Sequence, residues 1–200
     1  SLALLACAPF AHASDADAPV DLEDLKERIE KIRKETATPA IGIALVGRDG
    51  PYWVEGWGKA DIKSGRAADA DTLFRIGSIS KMFAALSVLK LAEEGRLSLD
   101  DKVRDRVPDV RFENPWEDTH PVRIAHLLEH TTGWDDIHFA EYAYSAPDTL
   151  SVKDSLIVHP DSRRSRWPPG TRHAYCNSGA AVAAYIVETV TGKRYEDYVA

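Results

Sequence analysis

Leu22, Leu25, Ile29 and Ile32 recur at helical spacing, with Asp21, Glu23 and Asp24 at the start of the stretch and Lys31, Arg33 and Lys34 near its end. An apolar stripe of that period, with charges ordered to suit the helix dipole, predicts an amphipathic helix from Asp21 to the Thr38-Pro39 break. Ala40 to Val46 and Tyr52 to Trp57 are apolar and aromatic runs on either side of Arg48-Asp49-Gly50-Pro51. They predict an antiparallel hairpin. Lys63-Ser64-Gly65 marks another turn, and Leu73 to Ile76 reads as a short strand that ends at Gly77.

From Met82 the period changes again. Phe83, Leu86, Val88, Leu89 and Leu91 predict a long helix, with Gly95 as its left-handed stop. Arg96 to Val107 alternates through Leu97, Leu99 and Val103 and is broken by Pro108. Ile124 to His130 reads as a short helix ending at Thr131-Thr132-Gly133, and residues 134–147 as a loop rich in aromatic and acidic groups. Leu150 to Val158 reads as helical, Trp167-Pro168-Pro169-Gly170 as a turn, and Ser178 to Val190 as an apolar helix closed by Gly192. A last helix starts near Tyr195. Strands first and mostly helices afterwards predict an α+β (α/β layered) domain.

The chain has 200 residues, 44% of them hydrophobic, which suffices for one core. Its net charge of −7 is spread in mixed sign, so no basic stripe for nucleic acid is present, and Arg163-Arg164-Ser165-Arg166 is too short to make one. Residues 1–13 are expected to be the remnant of a secretory signal. Leu2 to Phe10 is an apolar core, and Ala11-His12-Ala13 is a small-x-small cleavage pattern. Leu4-Leu5-Ala6-Cys7 also resembles a bacterial lipobox, so a membrane tether is expected only if Cys7 is lipidated. Either route exports the protein to the periplasm or beyond. Residues 14–20 read as a linker. Cys7 and Cys176 are the two cysteines, too few for a disulfide framework, and Cys176 is expected to be a packed thiol.

Ser78 stands at a helix start with Lys81 three residues later on the same face. A serine hydroxyl needs a base to become a nucleophile. A backbone N–H left unpaired at a helix start can face a developing oxyanion. Tyr175-Cys176-Asn177, between the Pro-Pro-Gly turn and a helix, adds a phenol able to relay a proton. Its amide can bind a carbonyl or orient Lys81. Each piece alone is more readily a helix cap, a solvated lysine or a packed polar residue.

Together they carry a resemblance. Phe74-Arg75-Ile76-Gly77-Ser78-Ile79-Ser80-Lys81, His126-Leu127-Leu128-Glu129-His130-Thr131-Thr132-Gly133, Pro169-Gly170 and Tyr175-Cys176-Asn177-Ser178-Gly179 follow in the order and rough spacing of one family. Over residues 21–200 the chain resembles the serine β-lactamase-like hydrolases. It is most similar to their branch of class C β-lactamases, D-alanyl-D-alanine carboxypeptidases and esterases. The resemblance implies a β-lactamase/transpeptidase-like fold, an antiparallel sheet flanked by helices with a helical region inserted. It further implies a Ser78 nucleophile forming an acyl-enzyme on an amide or ester carbonyl. Lys81 would assist, Tyr175 would act as base and acid partner, and Asn177 would bind a small-molecule or peptide substrate. It implies no cofactor and no metal.

The family's third motif, Lys- or His-x-Gly on a later strand, is missing after Tyr175, and Lys63-Ser64-Gly65 precedes the nucleophile. Lack of one oxyanion donor costs on the order of a hundred- to a thousandfold in rate. The chain is therefore expected to be partial, lacking the last strands. Two other readings remain at this stage. One is a non-catalytic module of the same fold that binds or senses a cell-wall fragment or peptide. The other is a zinc hydrolase, since His126 to His130 matches H-x-x-E-H, with Glu141 or Asp135 as a third ligand.

Overall fold

The computed structural model describes residues 18–139 and 150–200. The apolar stretch at residues 1–13, with Cys7, lies outside the described residues, as do residues 14–17 of the linker and 140–147 of the loop. The chain divides into two compact units, residues 1–75 and 76–200.

In the first unit, α1 (Leu22–Glu35) begins where the Asp21 side chain accepts the Asp24 N–H at 2.9 Å, an N-cap that satisfies an orphan donor. Two antiparallel strands follow, β1 (Ala40–Gly47) and β2 (Gly50–Gly58), in the expected hairpin. The register slips between Leu45 and Val46, the position just before Val46 meets Pro51. A proline cannot donate to the ladder, and such residues sit at bulges. Lys26 of α1 pairs with Glu55 of β2 at 3.3 Å. Leu73 to Ile76 is not a strand. Leu73 is exposed, and the Phe74 ring instead lies flush on Gly42 of β1, where an added Cβ would come within 2.8 Å of it. The short apolar run is used for a ring-on-glycine contact rather than for a ladder.

In the second unit, a 3-10 turn at Gly77–Ile79 leads into α2 (Ser80–Glu93), which stops at Gly95 with φ of +70°. Val88 and Leu91 of α2 are fully buried, while Phe83, Leu86 and Leu89 are exposed, so only part of the apolar helix meets this core. The expected alternation after Arg96 is broken because the Asp101 carboxylate accepts the Ser98 N–H at 2.7 Å and turns the chain. Val103 then buries from a short α3 (Val103–Arg106). The next helix, α4 (Ile124–Leu128), is shorter than expected because His130 takes φ of +56°. A Ser151-capped turn, α5 (Val152–Ser155), replaces the longer helix expected at 150–158.

The centre of the unit is α6 (Asn177–Thr191), closed by Gly192 at φ of +70° and followed by α7 (Tyr195–Val199). Both α2 and α4 pack on α6. Val88, Leu91, Ile124, Leu127, Trp134, Val182 and Ile186 form the heart of the core. The architecture is α+β. No helix among the described residues is long and apolar enough to cross a membrane.

Candidate active site

Ser78 sits in the 3-10 turn, directly after Gly77, whose φ of +55° is a conformation that side chains disfavour. That bend lets the serine and Lys81, in the first turn of α2, present their tips together. Lys81 Nζ donates to Ser78 Oγ at 3.2 Å. The second pair comes from the start of α6. Tyr175 OH and Ser78 Oγ are 2.8 Å apart, and either hydroxyl can donate. Asn177 Oδ1 accepts from Lys81 Nζ at 2.7 Å. Residues separated by about a hundred positions thus meet at one point, and the packing of α2 on α6 holds them there. All four belong to the second unit.

The electrostatics centre on the phenol. Hydrogen bonding from Lys81, then from Ser78, holds Tyr175 below the usual tyrosine value of 10.0, against a smaller opposing push from burial. The Lys81 cation also lies 5.0 Å over the Tyr175 ring, which favours it through the ring's negative face.

The loop after α4 supports this group from behind. His130 stacks on Tyr175 with ring centroids 4.5 Å apart, and its Nδ1 accepts the Cys176 N–H at 3.3 Å. Burial, then the neighbouring His173 and Lys81 charges, push His130 below its ordinary value of 6.5. It is thereby kept in the neutral form that can accept. Its carbonyl takes the Ala174 N–H at 2.8 Å. Asp136, six residues on, accepts from both the backbone and the side chain of Asn177. The sequence places Asp136 only within the aromatic and acidic loop at 134–147, with no partner. The structure gives it one: Trp134 is fully buried and draws the following residues down onto α6. Nothing in the local sequence distinguishes Asp136 from Asp135, because the distinction is made by that anchor.

The zinc arrangement loses its premise. The helix ends at Leu128, and the left-handed His130 cannot lie one turn above His126 on a common face. Each histidine's Nδ1 is engaged by a backbone N–H, that of Arg123 or Cys176. Among the described residues no three His, Cys, Asp or Glu side chains gather as a metal would require. Glu141 lies outside the described residues. Lys63-Ser64-Gly65 forms a turn, its first two N–H groups held by Asp61, and belongs to the first unit. Cys176 is buried and free.

The beta-lactamase family profile matches residues 25–200. The chain belongs to the beta-lactamase family. Penicillin-binding protein 4 of Amycolatopsis lactamdurans is 30% identical over 181 residues, covering 90% of this chain and 45% of that protein. The unguisins hydrolase ungD of Aspergillus violaceofuscus is 30% identical over 198 residues, covering 90% of this chain and 32% of its own length. The octameric penicillin-binding protein homologue from Pyrococcus abyssi superposes with a TM-score of 0.76 at 29% identity, covering 90% of this chain and 41% of that one. The chain spans less than half the length of each of these relatives.

Proposed function

We propose that the protein is a serine hydrolase in which Ser78 attacks an amide or ester carbonyl and forms an acyl-enzyme. The observation that carries this reading is the pair of contacts on Ser78 Oγ, from Tyr175 OH at 2.8 Å and from Lys81 Nζ at 3.2 Å. Because Lys81 donates to Oγ, the serine's own proton is free to point at the Tyr175 oxygen. Tyr175 reacts as its phenolate, the form that Lys81 favours by lowering the phenol's pKa, and the phenolate oxygen takes the serine's proton as Oγ bonds to the carbonyl carbon. The carbonyl π electrons move onto oxygen, and we assign the Ser78 N–H at the start of the turn to receive that charge. Collapse of the tetrahedral species expels the amine or alkoxide, which takes its proton from Tyr175. Water then follows the same route in reverse and releases the acid.

Candidate substrates are β-lactams, D-Ala-D-Ala peptides and short-chain esters, since one acylation chemistry serves all three. Asn177, beside Lys81, is the residue we assign to the substrate's carbonyl side. The export reading rests on Leu2 to Ala13 and is checked by fractionating cells that make the full-length protein.

The test is covalent. Incubating the full-length protein with a penicillin, and separately with an activated phosphonate, should add one adduct, located by peptide mapping at Ser78. Ser78→Ala should abolish it. An unchanged intact mass with both reagents would sink the hydrolase reading and leave the non-catalytic binding module, which binds the same fragments without bond formation.

A further inference from the structure

We propose that Asp136 is a positioning residue for the Ser78 chemistry, locking the Asn177 amide so that its oxygen must face Lys81. The inference rests on the hydrolase reading for its catalytic part, but the lock itself is a matter of hydrogen-bond geometry.

Asn177 lies between two side chains of opposite capability. Its Nδ2 donates to Asp136 Oδ1 at 2.9 Å and to Oδ2 at 3.2 Å. Its Oδ1 accepts from Lys81 Nζ at 2.7 Å. An amide has two nearly isosteric orientations, and its partners decide between them. A lysine ammonium has donors only and an ionised carboxylate acceptors only, so a flipped amide would set donor against donor on one side and acceptor against acceptor on the other. The orientation is fixed only while both partners keep those states. Burial pushes the Asp136 carboxyl up, but the N–H groups of Asn177 and Ile137, the Asn177 amide and the Lys81 charge outweigh it, and the net is below the ordinary value. The aspartate is ionised at neutral pH.

Asp136 is itself held from below. Trp134 is fully buried, Asp135 N–H donates to Ser162 O at 3.0 Å, and Arg166 N–H donates to Gly133 O at 2.9 Å. The result is a row of Asp136, Asn177, Lys81 and Ser78, each member touching the next. A carboxylate at one end sets the place of the ammonium that touches the nucleophile at the other.

A simpler role competes. Asp136 Oδ1 also accepts the Asn177 backbone N–H at 2.9 Å, a contact that would serve merely to start α6. Asp136→Asn separates the two roles. The asparagine oxygen can still accept the backbone N–H, but one side-chain acceptor becomes a donor and the charge is gone.

The experiment uses the full-length protein with a penicillin and an activated phosphonate as probes of Ser78, and nitrogen-15 NMR of the Asn177 side-chain amide. In Asp136→Asn the melting temperature should stay within a few degrees of wild type. Hydrogen exchange of the Asn177 amide should quicken at least tenfold. The saturating rate of Ser78 acylation should fall about tenfold to a hundredfold, the range of one charge-assisted hydrogen bond, while the half-saturating reagent concentration holds. Wild-type amide protection together with wild-type acylation in this variant would overturn the proposal, leaving only the helix-start role. If Asp136→Asn fails to fold, wild type decides alone: the Asn177 side-chain shifts must titrate with Asp136 in the acid range, and their indifference to it overturns the lock. If wild type takes no adduct at all, the hydrolase reading falls, and the amide exchange still supports or overturns the lock.

Discussion

Tyr175 OH stands 2.8 Å from Ser78 Oγ, nearer than Lys81 Nζ at 3.2 Å, and Lys81 gives its shorter bond, 2.7 Å, to Asn177. The two candidates for the serine's proton are therefore unequal. Lys81 is engaged as a donor to Ser78 and Asn177, whereas the Tyr175 oxygen has the serine hydroxyl as its near partner and Lys81 as the donor that lowers its pKa. On the proposed reading the Tyr175 phenolate is the base and Lys81 the group that adjusts it. Removing the phenolic oxygen with Tyr175→Phe should lower the acylation rate by about a hundredfold to ten-thousandfold, the usual worth of a positioned general base. Ser78 labelling in stopped-flow would show it. A loss of only a few-fold would return the role to Lys81.

The pH dependence carries the same assignment with a sign. Tyr175 is held below 10.0 first by Lys81 and then by Ser78. Acylation should therefore rise with pH along a limb set by the phenol and level off below the value of a free tyrosine. Lys81→Met removes the main cause of the shift, so its limb should move to higher pH in addition to any loss of rate. A limb that stays in place would show that the titrating group is not Tyr175.

Much of this site was legible in the sequence because chemistry and spacing were local. Ser78 and Lys81 share one turn of chain, and Tyr175 and Asn177 share one tripeptide. The hairpin and the helices around Leu22, Leu86 and Ile186 followed from periodicity, and Gly95 and Gly192 were found as helix stops with φ of +70° each. What was not legible depended on distant partners. Leu73 to Ile76 has the composition of a strand, yet Phe74 finds Gly42, thirty-two positions away, and no ladder forms there. The short helix through His130 ended early because that residue takes a left-handed conformation, one that places its ring on Tyr175. Asp136 could be told from Asp135 only once Trp134 was seen to be buried.

The contact that brings the two halves of the site together can be weakened without touching the site. Leu91 is fully buried in the core shared by α2 and α6. Leu91→Ala should cost about 2–5 kcal/mol of stability through lost burial and the cavity left behind. Equilibrium denaturation in urea measures it, with the midpoint falling and the slope unchanged. A change under 1 kcal/mol would mean that the core closes over the gap.

Gly56 tests the hairpin in the first unit. An added Cβ there would lie 2.2 Å from Asp69 O, a backbone atom that has no rotamer by which to withdraw. Gly56→Ala should therefore destabilise the protein by about 1–3 kcal/mol, the usual cost of overpacking. Substituting Gly65, where φ is +76° but no atom lies within 4 Å, strains only the local backbone and should cost less. Parallel melts of the two variants give the order. Equal losses would show that the 56–69 approach is loose enough to yield.

Two histidines should make stability fall on mild acidification. Burial is the largest cause holding His126 below 6.5, and the same is true of His130. Each accepts a backbone N–H through Nδ1, which protonation would prevent. A group whose folded value is depressed is neutral in the native state while the unfolded chain already takes up protons. Between 6.5 and the lower folded values, the unfolded state binds more protons, so stability declines as pH falls through that window. Above 6.5 the two histidines contribute no slope, and below their folded values the loss levels off. The urea midpoint should be flat from pH 8 to 7 and drop from 6.5 downwards. His126→Asn should shrink that drop even though it lowers the plateau. An unchanged drop in His126→Asn would assign it to other groups.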